Sequence, residues 1–281
     1  MKKIIVVGDF AVDRSVHVCA TRLCPEAPVP VVVPQKEVTN SGMAGNVLAN
    51  LQSLSGWTDD GFIVFGPDCE NEKLRYIDTA TGYIMLRVDR DCIKDVEPPF
   101  DPDEAIKEVT GLLGVSLKDI AAIVISDYGK GFLNNKNIQR LAELARENDI
   151  HTFLDTKLVL GEWSKDIFCV KINQKEYEYN IRAGVPYPEQ YCRNLVVTRA
   201  GNGTRLFSNA ITYDIPVDKV HVSDVCGAGD TMLAALALKH CHEQDIIKSI
   251  VYANAAASFA VTKHGVYSVT KEDMLHLGHK L

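Results

Sequence analysis

The segment HVSDVCGAGDTMLAALALKH, residues 221–240, places Gly227-Ala228-Gly229-Asp230 directly before a run from Met232 to Leu238 that contains no polar residue. An apolar run of that kind predicts a helix buried on every side. A buried helix start is costly, because its first backbone N–H groups have no partner within the helix. Glycines let the backbone approach a ligand closely, and a helix start favours negative charge. A carboxylate at such a point suits a general base that takes a proton from a hydroxyl attacking a phosphate. The same stretch can also be read as an aspartate N-cap before a core helix. Taken alone, it leaves both readings open.

Other polar residues follow short, β-branched apolar runs. KIIVV (3–7), FIVF (62–65), AAIVIS (121–126), HTFLD (151–155) and NLVVT (194–198) predict strands, and helical patterns at 45–54, 104–113 and 135–148 fall between most of them. Strands alternating with helices predict a mostly parallel sheet covered on both faces. In such sheets ligands bind beyond the carboxyl ends of the strands. The residues found there are Asp9 and Asp13, Asp127 with Lys130, Asp155 with Lys157, and Asn173 with Glu176. Each one singly has the type of a cap or turn residue; their recurrence at the same end of successive strands points to a site. Toward the C-terminus, TRLFS and ITYDIP predict antiparallel strands, followed by helices over 228–239 and about 245–263. VHVCA, PVPVVV, EKLRYID and GYIMLRVD predict a separate small sheet, a lid with strands within about 15–34 and 73–90. The expectation is one domain over 1–281 with that lid.

The totals narrow the function classes. A formal net charge of −7 over 281 residues argues against sequence-independent nucleic-acid binding. No apolar run reaches the roughly 18 residues of a membrane span. The N-terminal MKKIIVVGDF breaks its apolar run at Gly8 and Asp9 and so predicts a first buried strand, not a signal peptide. Eight cysteines without a CxxC pair predict reduced thiols in a cytoplasmic protein. His240, Cys241 and His242 are adjacent and point in different directions on a helix, which predicts a solvated helix end, not a metal site. GxxxxGK[ST] is absent, GDFAVD stands where a dinucleotide fold would carry GxGxxG, and neither HRD nor DFG occurs.

DVCGAGDTMLAAL resembles the C-terminal signature of the ribokinase/PfkB family of sugar kinases. VVGDFAVD, RLCPEAPVPVV, GNVLANLQSL, LRVDRD, ISDYGKG, LVVTRAGNGTRL and ANAAASFAVTKHG extend the likeness along nearly the whole chain. Within the family they are most similar to the kinases of D-glycero-β-D-manno-heptose 7-phosphate. The resemblance implies a ribokinase-like α/β three-layer sandwich with a mostly parallel central sheet and a small β-sheet lid. It also implies Asp230 as catalytic base, with Cys226, Gly227, Ala228 and Gly229 as an anion hole. Asn173 and Glu176 would orient Mg2+ and its waters. Thr198, Arg199, Gly201, Gly203 and Asn254 would lie along ATP. Asp9, Asp13, Gly42 and Asn46 would hold sugar hydroxyls. Asp127, Lys130 and Lys157 belong to the same substrate side, the two lysines suiting the phosphate of a sugar phosphate. The accepting group would be the anomeric hydroxyl, and a homodimer is expected through exposed lid strands.

The chain departs from the family at three places. Gly42-Met43 stands where the family has two glycines, the stretch between FIVFG and EKLRYID is short, and Asp155-Thr156-Lys157 replaces Asp-Pro-Lys. Two alternatives stay open at this point: a catalytically silent sugar- or nucleotide-binding scaffold of the same fold, and a kinase for a different sugar.

Overall fold

The computed structural model describes residues 2–68, 71–91 and 100–281. The chain begins with β1 (Lys3–Gly8), β2 (Phe10–Leu23), β3 (Pro30–Met43) and α1 (Ala44–Ser55). Three strands follow: β4 (Phe62–Phe65), β5 (Asn71–Asp78) and β6 (Ile84–Arg90). After them come α2 (Pro102–Lys107), β7 (Ile120–Ser126), α3 (Asn135–Glu147) and β8 (His151–Asp155). β9 (Cys169–Asn173), α4 (Gln174–Arg182), β10 (Asn194–Thr198), β11 (Thr204–Ser208) and β12 (Ile211–Ile215) continue the alternation. The chain closes with α5 (Ala228–Glu243), α6 (Ile246–Ala260) and α7 (Lys271–His276).

The central sheet has the order β12-β11-β10-β9-β8-β7-β1-β4, parallel from β4 through β10 and antiparallel at β11 and β12. Successive side chains of a strand face opposite sides, and here both sides are apolar. Ile4 and Val6 join one core with α1, α5, α6 and α7, while Ile5 and Val7 join another with α2 and α3. That double burial is why these strands read as unbroken apolar runs.

A second sheet, β3-β2-β5-β6, forms the lid. Its small core is Val16, Val18 and Leu74, and it leaves Val33, Ile84 and Leu86 exposed. β2 and β3 run further than the sequence patterns suggested. They reach Phe10 and Met43, so Asp13 sits on a lid strand instead of in a loop after β1, and Gly42 lies on the lid strand beside it. The helix end at His240 also differs from expectation: α5 stays buried through His240 and only turns to solvent from His242. Among the described residues no cluster of three His, Cys, Asp or Glu side chains could hold a metal ion. Cys69 and Cys92 lie outside the described residues; the other six cysteines are free thiols.

Met43 shows what its replacement of a glycine entails. It has φ 56° and ψ −130° at the N-terminus of α1, a region that favours glycine, while its side chain is buried. The next amide, Ala44 N–H, donates to the Asp9 carbonyl at 2.9 Å and ties α1 to the end of β1.

Candidate active site at the start of α5

Gly227 precedes α5, its φ of 78° turning the chain into the helix, and no side chain caps the first turn. By contrast, α3 is capped by Asn134 and α4 by Asn173. A helix start without a side-chain cap retains N–H donors and a favourable field for an anion. A side chain at Gly227 would meet the Asn46 carboxamide at 2.6 Å, so the glycine is needed for close approach as well as for its backbone angle. Cys226, half-buried, donates its N–H to Asp224 Oδ1 at 2.9 Å and shapes the turn before it.

Asp230 lies in the first turn, 4% exposed. Tyr128 Oη donates to its Oδ1 at 2.7 Å, and Asn46 Nδ2 donates to its Oδ2 at 2.8 Å. Asn50 holds Asn46 in turn, donating to Asn46 Oδ1 at 3.0 Å. Asn50 Oδ1 itself accepts from the Thr231 hydroxyl and the Val269 N–H. Burial pushes the Asp230 carboxyl up to about 6, opposed by the Tyr128 and Asn46 hydrogen bonds and by Lys171, and reinforced by Asp155. The arrangement provides a carboxylate that ionises near neutrality and has no directly paired cation among the described residues, which is what a general base needs.

Beneath Gly229 lies a buried ion pair between Lys171 of β9 and Asp155 of β8. A side chain at Gly229 would stand 3.0 Å from the Lys171 ammonium, so the glycine lets this charge lie directly under the helix start. Neither Lys171 nor Tyr128 was singled out from the sequence. A lysine in the middle of an otherwise apolar strand, CVKIN, was the available signal for the first.

The expected sugar-side residues fall into two groups. Asp9 is fully buried: its Oδ2 accepts the N–H groups of Tyr128 and Lys130 at 2.9 and 3.1 Å, and its Oδ1 has no hydrogen-bond partner among the described residues. Asp127 is occupied by its own loop, accepting from the Gly129 N–H and the Thr156 hydroxyl. Asp13 is held by Arg75 at 2.9 Å, and a side chain at Gly42 would strike Asp13 Oδ2 at 2.7 Å. Lys73, paired in register with Asp13 on the neighbouring strand, has its ammonium 5.0 Å from the centre of the Tyr128 ring. Burial lowers its pKa, while Asp13 and Asp230 raise it.

Lys130 and Lys157 engage different carboxylates. Lys130 pairs with Asp91 at 2.7 Å, at the end of the lid. Lys157 pairs with Glu176, and its ammonium lies 5.3 Å from the centre of the Tyr128 ring. Glu176 and Asn173 form a reciprocal cap at the start of α4: Asn173 N–H donates to Glu176 Oε2 and Glu176 N–H donates to Asn173 Oδ1. With one carboxylate and a carboxamide already so engaged, this pair suits an ion held through its water shell, which is how magnesium is commonly bound.

On the nucleotide side, Thr198 ends β10 and Arg199 pairs with Asp214 at 2.7 Å. Gly201 is exposed with open space around its Cα, and Gly203 has φ 78° and closes on the Ile215 carbonyl. Asn254 is buried and braces this edge, accepting from the Thr204 hydroxyl at 2.6 Å. Asn254, expected along ATP, is thus tied into the protein on its carbonyl side.

Residues 115–273 match the family described as pfkB family carbohydrate kinase. Bifunctional protein HldE of Aliarcobacter butzleri is 28% identical over 96% of this chain, and that of Haemophilus influenzae 28% over 99%. This chain spans 63% of the length of each. Arabidopsis thaliana ribokinase, solved with ribose and ATP, superposes with a TM-score of 0.71 at 15% identity, covering 98% of both chains. The nucleoside kinase of Methanocaldococcus jannaschii superposes with a TM-score of 0.69 at 16% identity over 99% of both. These two share the ribokinase fold with this chain. The family match covers more than half of the sequence and includes the start of α5 with its buried aspartate, so the chain belongs to the pfkB family of carbohydrate kinases, phosphotransferases acting on sugars.

Proposed function

We propose that this kinase transfers the γ-phosphoryl group of ATP to the anomeric hydroxyl of D-glycero-β-D-manno-heptose 7-phosphate or a closely related sugar phosphate. The observation that carries the transfer chemistry is Asp230, buried at an uncapped helix start and hydrogen-bonded, among the described side chains, by the neutral donors Tyr128 and Asn46. Asp230 takes the proton of the acceptor hydroxyl as its oxygen forms a bond to the γ-phosphorus, and the bond from that phosphorus to the ADP oxygen breaks in line. The N–H groups of the first turn of α5 receive the charge developing on the phosphoryl oxygens. The Lys171 ammonium, ion-paired with Asp155, lies beneath Gly229 at the same point. Magnesium, when bound, would neutralise phosphate charge, with Asn173 and Glu176 holding its water shell.

The preference for a phosphorylated sugar is supported by the cations that the lid brings to the acceptor side. Lys73 and Arg75 flank Asp13, and Arg87 stands opposite Arg75 in the lid sheet. Lys73 has no ion-pair partner among the described residues. The unpaired Asp9 Oδ1 is an acceptor suited to a sugar hydroxyl. The free thiols fit a cytoplasmic enzyme. The exposed apolar residues of the lid, among them Val33, Ile84 and Leu86, support a homodimer formed through that sheet. Sedimentation would detect it, and a monomer at micromolar concentration contradicts it.

The test is ATP turnover with a panel of acceptors: phosphorylated seven-carbon sugars, their unphosphorylated forms, hexoses and ribose. The proposal expects the highest kcat/KM with the seven-carbon sugar phosphate. It also expects Lys73→Met to raise the KM of that substrate about ten-fold, with little change in the KM for ATP. A better rate with unphosphorylated hexose or ribose refutes the acceptor, and no turnover with any sugar refutes the kinase reading.

A further inference from the structure

The proposed base is held by two neutral donors, and they differ in what fixes them. Asn46 belongs to α1 and is locked by Asn50, which in turn is bound to Thr231 and Val269. Tyr128 belongs to the loop after β7. Its backbone N–H donates to Asp9 Oδ2 at 2.9 Å, and the following turn is fixed by Gly129 N–H donating to Asp127 Oδ1 at 2.9 Å. The ring has the Lys73 ammonium of the lid 5.0 Å from its centre and that of Lys157 5.3 Å from its centre. Its hydroxyl reaches Asp230 Oδ1 at 2.7 Å. The loop, the ring and the hydroxyl are therefore all determined, and they converge on a single oxygen of the base.

We infer that Tyr128 is a positioning residue for catalysis: its hydroxyl fixes the plane of the Asp230 carboxylate and favours the ionised form that accepts the substrate proton.

A neutral donor suits this task better than a cation. A lysine or arginine paired directly with Asp230 would favour the ionised form so strongly that the carboxylate would be a poor base. The nearest buried lysine, Lys171, is already paired with Asp155. Tyr128 thus offsets the burial of Asp230 by one hydrogen bond, leaving each carboxylate oxygen a further lone pair for the acceptor hydroxyl. The phenol stays protonated as a donor, because burial and the nearby Asp230 raise its pKa well above the usual tyrosine value.

This inference rests on Asp230 acting as the base, and the experiment separates the two. The pH dependence of kcat/KM is measured for the wild type, for Tyr128→Phe, for the protein carrying 3-fluorotyrosine at position 128, and for Asp230→Asn. The phenylalanine ring keeps its contacts with Lys73 and Lys157 and loses only the donor. Without that hydrogen bond the acid limb moves up by about one pH unit. The Tyr128→Phe loss is then roughly five-fold greater at about pH 6 than at about pH 8.5. The more acidic phenol of 3-fluorotyrosine is a stronger donor and moves the limb the opposite way. If Asp230→Asn is inactive while the Phe and fluorotyrosine limbs coincide with the wild type, or if Tyr128→Phe loses activity equally at every pH, the role of Tyr128 is overturned alone. Wild-type turnover in Asp230→Asn overturns the base and this inference with it.

Discussion

α5 buries a titratable side chain near each end. Near its start Asp230 is 4% exposed, and burial pushes its carboxyl up to about 6. Near its far end His240 is 3% exposed, and burial pushes its imidazole down to about 4. Both groups are driven toward their neutral forms by the same cause, so the shift by itself does not separate a site from a core. Their surroundings do. Asp230 receives a phenol and a carboxamide at a helix start with no side-chain cap, above a buried lysine. His240 packs against Phe153 and Phe168, and its Nε2 lies 3.1 Å from His151 Nδ1. Its own Nδ1 is buried without a hydrogen-bond partner among the described residues. The lesson is that converging donors and an open helix start mark chemistry, whereas burial alone marks packing.

The largest expected effect tests the charge beneath the helix start. Lys171→Met removes one partner of a buried ion pair and leaves Asp155 uncompensated, which costs about 3–5 kcal/mol of stability. Equilibrium unfolding in urea measures it; a loss under 1 kcal/mol would show that Asp155 is solvated or protonated in the native state.

The next concerns the far end of the helix. The unfolded chain protonates His240 near the ordinary histidine value of 6.5, while the folded protein resists until about 4. From 6.5 down to about 4 the unfolded state therefore binds the extra proton, and stability falls as pH falls, by up to about 3 kcal/mol from this group. His240→Phe removes that slope and leaves kcat within about two-fold of wild type, since the residue faces no substrate. Unfolding midpoints measured across the window check the slope. An unchanged acid slope, or a large loss of kcat, would erase the contrast between the two helix ends.

A smaller effect extends the comparison to the start of α4, which is capped where α5 is not. Glu176→Gln keeps a side chain able to cap but loses its charge and its ion pair with Lys157. The magnesium concentration for half-maximal rate then rises several-fold. An unchanged magnesium dependence assigns Glu176 to capping alone.

Much of this architecture was visible along the chain because the central strands are apolar on both faces and alternate with amphipathic helices. β8 and β10 follow HTFLD and NLVVT residue for residue. β9 did not stand out, because Lys171 interrupts its apolar run; the residue that compensates it, Asp155, is on another strand. Asp13 reads from the sequence as a loop residue after β1 because only Asp9 separates β1 from β2, and nothing local shows that the chain has entered a second sheet. At the site, Asp230 was legible from glycine spacing and the apolar run behind it. Tyr128 was not, since its partner lies 102 positions away and is reached only through the fold. The burial of His240 is hidden from the sequence for a related reason: what buries it is Phe153 and Phe168, on β8 and in the segment before β9.

The most direct test of the account is a single-turnover measurement of phosphoryl transfer by Asp230→Asn, with ATP binding followed in the same preparation. Asparagine is nearly isosteric and cannot take the proton, so the transfer rate is expected to fall by roughly 10²–10⁴ while ATP affinity stays near wild type. Transfer at the wild-type rate would contradict the assignment of the start of α5 as the catalytic centre.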